Sequence, residues 1–324
     1  MNILVLGGAG YIGSHMTKML FQAGHHVVVY DNLSTGHPEA VKWGTLVEGD
    51  LNDDAALNRL FDEHPLDGVM HFSAKSLVGE SMTDPSLYYR NNVTGTLKLL
   101  DAMRHGDVRK LIFSSSAAVY GNPVSPLIDE THPLNPINPY GKTKLMVENI
   151  LKDYAAAYNI SSVSLRYFNA AGADEGGEIG ESHAPETHLI PNILRSVITG
   201  ATELKVFGND YPTPDGTCVR DYIHVTDLTR AHLLALDYMD DAPGAHVFNL
   251  GNGRGFSILE VIRAAEQVIG KPVPFTYEPR RKGDPPSLVA DSSHAADILG
   301  WHAETADITG IIQSAYKWHK NQWY

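Results

Sequence analysis

Apolar positions in the first half of the chain fall into short, near-continuous runs separated by stretches of helical spacing. The runs at residues 3–6, 27–30, 45–47, 68–72, 111–113 and 162–167 have strand length and are rich in Val, Ile, Leu and aromatic side chains. Between the first two, Ile12, Met16, Met19, Leu20 and Ala23 recur on one helical face. Strands that are apolar on both faces, with helices between them, predict an α/β fold built on a doubly wound parallel sheet. Residues 84–105 continue in a helical pattern through Leu87, Leu97, Leu99, Leu100 and Met103. Asn91-Asn92 inside that pattern lowers helix propensity, which points to a buried polar role.

Beyond residue 168 the pattern loosens. A polar loop rich in Gly, Glu and His covers 172–187, long enough to close over a site. A helix starting near Val225 and a strand over 247–250 are expected to rejoin the first sheet, while 200–219 and 257–302 build a smaller unit. The expected division is a nucleotide-binding domain over 1–168 with return segments near 222–250, and a smaller, discontinuous α/β C-terminal domain within 169–324.

The first strand runs into Gly7-Gly8-Ala9-Gly10-Tyr11-Ile12-Gly13 and then directly into a helix. Glycines there permit a tight turn and let backbone N–H groups approach a pyrophosphate at the positive end of the helix, as in Rossmann dinucleotide sites. Asp31 closes the second strand 18 residues beyond Gly13, where a carboxylate accepts from ribose hydroxyls and repels the extra phosphate of NADP, so NAD is preferred. Asp50, after the third strand, is a candidate for the adenine edge.

The strand at 111–113 ends in Ser114-Ser115-Ser116, at the carboxyl edge where doubly wound sheets bind ligands. Tyr140 and Lys144 lie four apart in a helical stretch and share a face, so the ammonium favours the phenolate form and the pair can act as a base. Arg220 and Arg281 offer forked donors that match phosphate oxygens.

Composition narrows the classes. A chain of 324 residues with 43% hydrophobic positions can bury a large core, and a net charge of −13 without long runs argues against nucleic acid or an anionic membrane as partner. Cys218 is the single cysteine, so no internal disulfide forms. No apolar run reaches spanning length and the N-terminus lacks a basic leader, which makes the cytoplasm the expected location. His183, Glu186 and His188 are close in sequence but not at the spacing of a helix face, and they are read as loop residues with no metal expected.

The glycine turn, Asp31, the serine strand end and Tyr140-xxx-Lys144, in this order and spacing, resemble the extended short-chain dehydrogenase/reductase family. Ser14-His15, Asp31-Asn32-Leu33, His71-Phe72, Val78-Gly-Glu-Ser81, Tyr167-Phe-Asn169 and Arg220-Asp-Tyr-Ile-His-Val225 extend the likeness to that family's nucleotide-sugar epimerases across essentially the whole chain. The resemblance implies interconversion of UDP-galactose and UDP-glucose through transient oxidation at C4, with Ser116, Tyr140 and Lys144 catalytic.

It further implies that NAD is held by Gly7, Gly10, Tyr11, Ile12, Gly13, Asp31, Asn32, Asp50, Leu51, Phe72, Ser76, Asn91, Ser114, Tyr140, Lys144 and Tyr167. Lys75 is an alternative to Ser76, because some members carry the contacting lysine one place later. The UDP-sugar would meet Ser116, Tyr140, Asn169, His188, Leu189, Phe207, Arg220, Arg281, Asp284 and Leu288. Leu288 stands where a bulky Tyr goes with exclusion of N-acetylated sugars, so UDP-N-acetylhexosamines are expected as secondary substrates. A homodimer joined through helices near 84–105 and 141–158 is also implied. Two rivals remain: a 4,6-dehydratase, which needs acids where Ala117 and Ala118 stand, and a non-catalytic dinucleotide sensor, which would have no need of Tyr140 and Lys144.

Overall fold

The computed structural model describes residues 1–200, 203–281 and 284–324. The chain opens with β1 (Asn2–Leu6), α1 (Tyr11–Gln22), β2 (His26–Asp31), β3 (Thr45–Glu48), α2 (Asp54–Glu63) and β4 (Gly68–His71). Short helices α3 (Val78–Thr83) and α4 (Pro85–Tyr88) lead to α5 (Gly95–His105), β5 (Lys110–Ser114), α6 (Pro139–Tyr158) and β6 (Ser161–Tyr167). Next come β7 (Asn169–Ala171), α7 (Leu189–Thr199), β8 (Leu204–Phe207), β9 (Val219–His224), α8 (Val225–Asp241) and β10 (Ala245–Leu250). The chain closes with β11 (Gly255–Ser257), α9 (Ile258–Ile269), β12 (Phe275–Glu278), β13 (Ser287–Leu288), α10 (Ser293–Leu299) and α11 (Ile308–Lys320).

Seven strands form one parallel sheet in the order β10-β6-β5-β4-β1-β2-β3, so the six runs expected from the sequence and the returning strand share a sheet. Side-chain alternation divides its two faces. Ile3, Val5, Val27, Val29, Met70, Ile112, Val163 and Leu165 face one core, closed by Met16 and Leu20 of α1 and by Leu228, Ala231, Ala235 and Leu236 of α8. Leu4, Leu6, Val28, Tyr30, Val69, Leu111 and Phe113 face the other, under α2, α5 and α6. Each fully buried aliphatic side chain contributes about 1.5–3 kcal/mol, which is why the central strands β1, β2, β4 and β5 bury apolar side chains on both faces. The chain leaves β1 toward β2 and then returns past it to β4, so a crevice opens between the carboxyl ends of β1 and β4.

A second core gathers α7, α9 and α11 against two small sheets, one in which β9 pairs with β7, β11 and β13, the other of β8 with β12. Residues after Leu288 do not all stay with it. Ala295 and Leu299 of α10, with Trp301, are buried in the core of the large sheet, and Trp301 Nε1 donates to the Asp227 carbonyl at 2.9 Å. The large unit therefore takes back a segment that the sequence pattern places in the smaller one.

The helical pattern over 84–105 is not one helix. A π-helical turn (Tyr89–Thr94) separates α4 from α5 and contains Asn91-Asn92. Asn92 is buried; its Oδ1 accepts from Lys75 N at 2.9 Å, and its Nδ2 donates to Lys75 O and Thr143 Oγ1, both at 3.0 Å. The asparagine thus ties the 73–76 loop to α6, and wide turns of this kind recur at functional sites.

α6 is fixed by its start and by its buried face. Asn138 caps it, accepting from Gly141 N at 2.8 Å, and Pro139 occupies the first turn. Glu148 accepts from Arg166 Nε of β6 at 2.9 Å, from Arg166 NH2 at 2.5 Å and from Ser115 Oγ at 2.6 Å, with both charged side chains almost wholly buried. Arg166 NH1 donates to Tyr120 OH at 2.9 Å, and that hydroxyl donates to Asn249 of β10 at 2.6 Å. Removing one member strands a buried charge, so Glu148→Ala is expected to lower the unfolding free energy by about 3–5 kcal/mol in urea titration.

Candidate active site

Two adjoining cavities of about 440 and about 330 Å³ run along the carboxyl edge of the large sheet and share Gly7, Gly10, Phe72, Ser76, His183 and His188 as walls. At the crevice, Gly7 adopts φ +75, and a Cβ on it would stand 2.8 Å from Ser73 N. A Cβ on Gly13 would lie 2.1 Å from the Gly7 carbonyl, so glycine is required for α1 to start against the turn. Tyr11, Ile12 and Gly13 line the larger cavity.

Asp31, Asn32, Leu51, Asn91 and Lys75 line the smaller cavity, and Ser76 lines both. Asp31 accepts from Ala9 N and Leu33 N, each at 2.9 Å; burial pushes its pKa up while these N–H groups hold it back. Asp50 stands behind the wall, where its carboxylate accepts from Asn32 Nδ2 at 2.7 Å and from Asn52 N at 2.8 Å. Both Lys75 and Ser76 reach the cleft, so the geometry leaves either available to a ligand.

Farther along the cleft, Ser114, Ser116, Tyr140, Lys144, Tyr167 and Asn169 line the larger cavity together. Lys144 Nζ lies 5.7 Å from the Tyr140 ring centroid, as the four-residue spacing requires, and donates to the Ser114 carbonyl at 2.6 Å. Ser114 Oγ hydrogen-bonds the Tyr167 hydroxyl. Ser116 opens a single 3₁₀ turn in which Ala117 and Ala118 also face the cavity. A Cβ on Gly141 would sit 2.3 Å from the Ala118 carbonyl, so the glycine after Tyr140 allows α6 to close on that turn.

Electrostatics in the chain by itself runs against ionisation. Burial raises the Tyr140 pKa, and the hydrogen bond with Ser116 pulls it back down. Burial lowers that of Lys144 from 10.5 to about 7, opposed by the Glu148 carboxylate. The ammonium therefore does not by itself bring the phenol into the neutral range; desolvation outweighs it.

His188, Leu189, Arg220, Asp284 and Leu288 complete the far wall. Arg220 NH1 donates to the Val219 and Pro285 carbonyls at 2.8 and 2.9 Å, and its NH2 lies 3.7 Å from Asp284 Oδ1. Phe207 and Arg281 are not on this wall; they pair with each other, the guanidinium 4.0 Å over the ring. Lys282 and Gly283, between Arg281 and Asp284, lie outside the described residues.

Sequence reasoning missed two supports. The buried Glu148 and Arg166 hold α6, and a glutamate four residues after Lys144, on the same helical face, was the available signal. Asp221 accepts from Asn252 N at 2.8 Å and from Gly253 N and Ala290 N at 3.1 Å, joining the loops behind the far wall. The loop histidines are also closer than the sequence suggests: His183, Glu186 and His188 converge with Glu181 so that one ligand atom from each lies within 4.8 Å of the others.

A doubly wound sheet with a glycine turn at its crevice and a Tyr–Lys–Ser group beside it defines a class of dinucleotide-dependent enzymes. The chain belongs to the NAD dependent epimerase/dehydratase family, whose model matches residues 3–251. It is 49% identical to UDP-glucose 4-epimerase of Halalkalibacterium halodurans over 99% of this chain and 96% of that one. The crystal structure of UDP-glucose 4-epimerase from Brucella ovis in complex with NAD superposes with TM-score 0.95 at 52% identity, covering 98% of each chain. The enzyme of the same name from Bifidobacterium longum, in complex with NAD+ and UDP, gives TM-score 0.95 at 41% identity over 99% of each.

The depressed Lys144 pKa makes stability pH-dependent. Between about 7 and 10.5 the unfolded chain binds a proton that the folded chain lacks, so this lysine costs most below 7 and nothing above 10.5. Lys144→Met is expected to raise the unfolding free energy by a few kcal/mol at about pH 6.5, with the gain vanishing toward about pH 10 in chemical denaturation.

Proposed function

We propose that the chain is an NAD-dependent epimerase that interconverts UDP-galactose and UDP-glucose. The observation that carries this reading is the grouping of Ser116, Tyr140 and Lys144 on one wall of the cleft that begins at the Gly7–Gly13 turn. NAD, when bound, supplies the acceptor and then the donor of the C4 hydride. The glycine turn and the start of α1 would take its pyrophosphate, and Asp31 the ribose, with Asn32, Leu51, Phe72, Ser76, Asn91 and Tyr167 around them.

Tyr140 removes the proton of the sugar 4-hydroxyl as hydride leaves C4, giving a 4-keto sugar, and returns that proton to the oxygen when hydride comes back on the opposite face. The phenol needs help to ionise, which positive charge on Lys144 and on the oxidised cofactor, when bound, would supply. Ser116 bridges the sugar oxygen and the phenol. Lys144 keeps its place through the Ser114 carbonyl.

The smaller unit would hold the UDP-sugar through Asn169, His188, Leu189, Arg220, Asp284 and Leu288, with the stacked Phe207–Arg281 pair available to the uridine. A dehydratase would need proton-transfer groups after Ser116, and Ala117 and Ala118 there have none. The same reading carries residues 1–168 with the returning segments as the NAD-binding part, and a homodimer in the cytoplasm. Exposed Met146 on α6 supports an interface along the helices near 84–105 and 141–158. No helix among the described residues is long and apolar enough to cross a membrane.

Two variants test the site. Tyr140→Phe is expected to retain NAD, seen by absorbance of the purified protein, and to lose about 10²–10⁴ in kcat for UDP-galactose; near-parental turnover would remove Tyr140 as the base. Leu288 walls the pocket beside Phe168. Because such a pocket separates substrates by only about 1–3 kcal/mol, the parent should turn over UDP-N-acetylgalactosamine more slowly than UDP-galactose. Leu288→Tyr should lower kcat/KM for the acetylated sugar selectively, and an unchanged ratio would show that the wall is set elsewhere.

A further inference from the structure

The loop from Glu181 to His188 carries four side chains that the epimerase reaction does not use as a group. Glu181 Oε1 lies 2.6 Å from His188 Nδ1 and 3.3 Å from His183 Nδ1. Glu186 Oε1 lies 3.3 Å from His188 Nδ1, and Glu186 Oε2 lies 3.7 Å from His183 Nδ1. Glu181 Oε1, His183 Nδ1 and Glu186 Oε2 are buried and have no hydrogen-bond partner among the described residues. In the ion-free chain the two carboxylates hold the His183 and His188 imidazoles well above their usual pKa, so protons fill the centre on which these atoms converge, and a divalent cation would displace them.

The Glu186 carboxylate and the backbone of the loop are both held in place. Glu186 Oε1 accepts from Thr187 N and His188 N at 2.8 and 2.9 Å, which leaves Oε2 turned inward. Trp318 Nε1 donates to the Glu181 carbonyl at 2.9 Å, and His37 Nε2 bonds the Ser182 carbonyl at 3.1 Å. The loop is therefore anchored to the C-terminal helix and to the segment after β2 before any ligand arrives.

We propose that Glu181, His183, Glu186 and His188 bind a structural divalent zinc ion. Four ligands around zinc at about 2.0–2.1 Å define a tetrahedron with edges of about 3.3 Å, and the measured separations straddle that length. Two carboxylates and two neutral imidazoles balance the charge of the ion. Calcium and magnesium want oxygen ligands only, whereas mixed nitrogen and oxygen donors favour zinc among the commonly available divalent ions. With four protein ligands the coordination is closed, so the ion is a staple and not a reactant.

The staple would sit beside the cofactor cleft. His183 packs edge-on to Tyr11 at the start of α1, with ring centroids 6.5 Å apart, and Tyr11 OH donates to the Gly172 carbonyl at the root of the same loop at 2.6 Å. Zinc would hold the loop against the glycine turn and join it to the first residues of α7.

The test uses untagged full-length protein from zinc-supplemented cells, desalted and analysed by inductively coupled plasma mass spectrometry. About one zinc per chain is expected, falling at least about tenfold in His183→Gln/His188→Gln whose circular dichroism matches the parent. Stripping the parent with dipicolinate should lower Tm, and zinc, but not magnesium, should restore it; cobalt(II) added to the stripped protein should give intense visible bands of a tetrahedral site. Zinc well below one per chain with no Tm response to chelator or zinc would overturn the assignment, as would full zinc content in the folded double variant.

Discussion

The ion pair between Glu148 and Arg166 is the contact on which the site depends. It lies where α6 crosses β5 and β6, and the same carboxylate takes the Ser115 hydroxyl while the same guanidinium takes Tyr120 OH. Burying two charges is costly, and such pairs are stable only when their remaining hydrogen-bonding capacity is filled. Here that condition links a helix, two strands and, through Asn249, a third. Because Lys144 is one turn before Glu148 and Tyr140 one turn before that, fixing the carboxylate fixes the angle at which phenol and ammonium meet the cleft.

In the proposed reading, that placement would let one wall serve both ligands. Gly141 lets the helix close on the turn after Ser116, and the Ser114 carbonyl holds Lys144 from the strand end. The burial that aligns these groups also makes their ionisation expensive, raising the Tyr140 pKa and lowering that of Lys144. In the proposed mechanism, a Tyr140 base of this design is weak in the bare chain and would depend on the charge of what binds beside it. On that reading, chemistry and cofactor occupancy would be coupled.

The large sheet was legible because its central strands are apolar on both faces and most of the helices between them keep a clear period. The glycine turn, Asp31 and the Tyr140–Lys144 spacing were legible for a similar reason: each is a local constraint whose geometry follows from neighbours in the chain. What stayed hidden depends on distant partners. The break of the 84–105 pattern at Asn91-Asn92 follows from Asn92 reaching Lys75 and Thr143. The return of Trp301 to the large core and the role of Asp221 follow from contacts across tens of residues. The gathering of Glu181 with His183, Glu186 and His188 has no helical period to announce it, since a loop sets its own path.

The central claim is that a hydride leaves C4 of the sugar and returns to the same carbon within one binding event. Incubating the purified protein with UDP-galactose deuterated at C4 and following the product by NMR tests it most directly. The account predicts UDP-glucose that keeps the deuterium at C4, with no wash-out into water and no label gained in deuterated buffer from unlabelled substrate. Conversion with loss of the C4 label to solvent would contradict it, as would complete absence of conversion by protein that carries NAD.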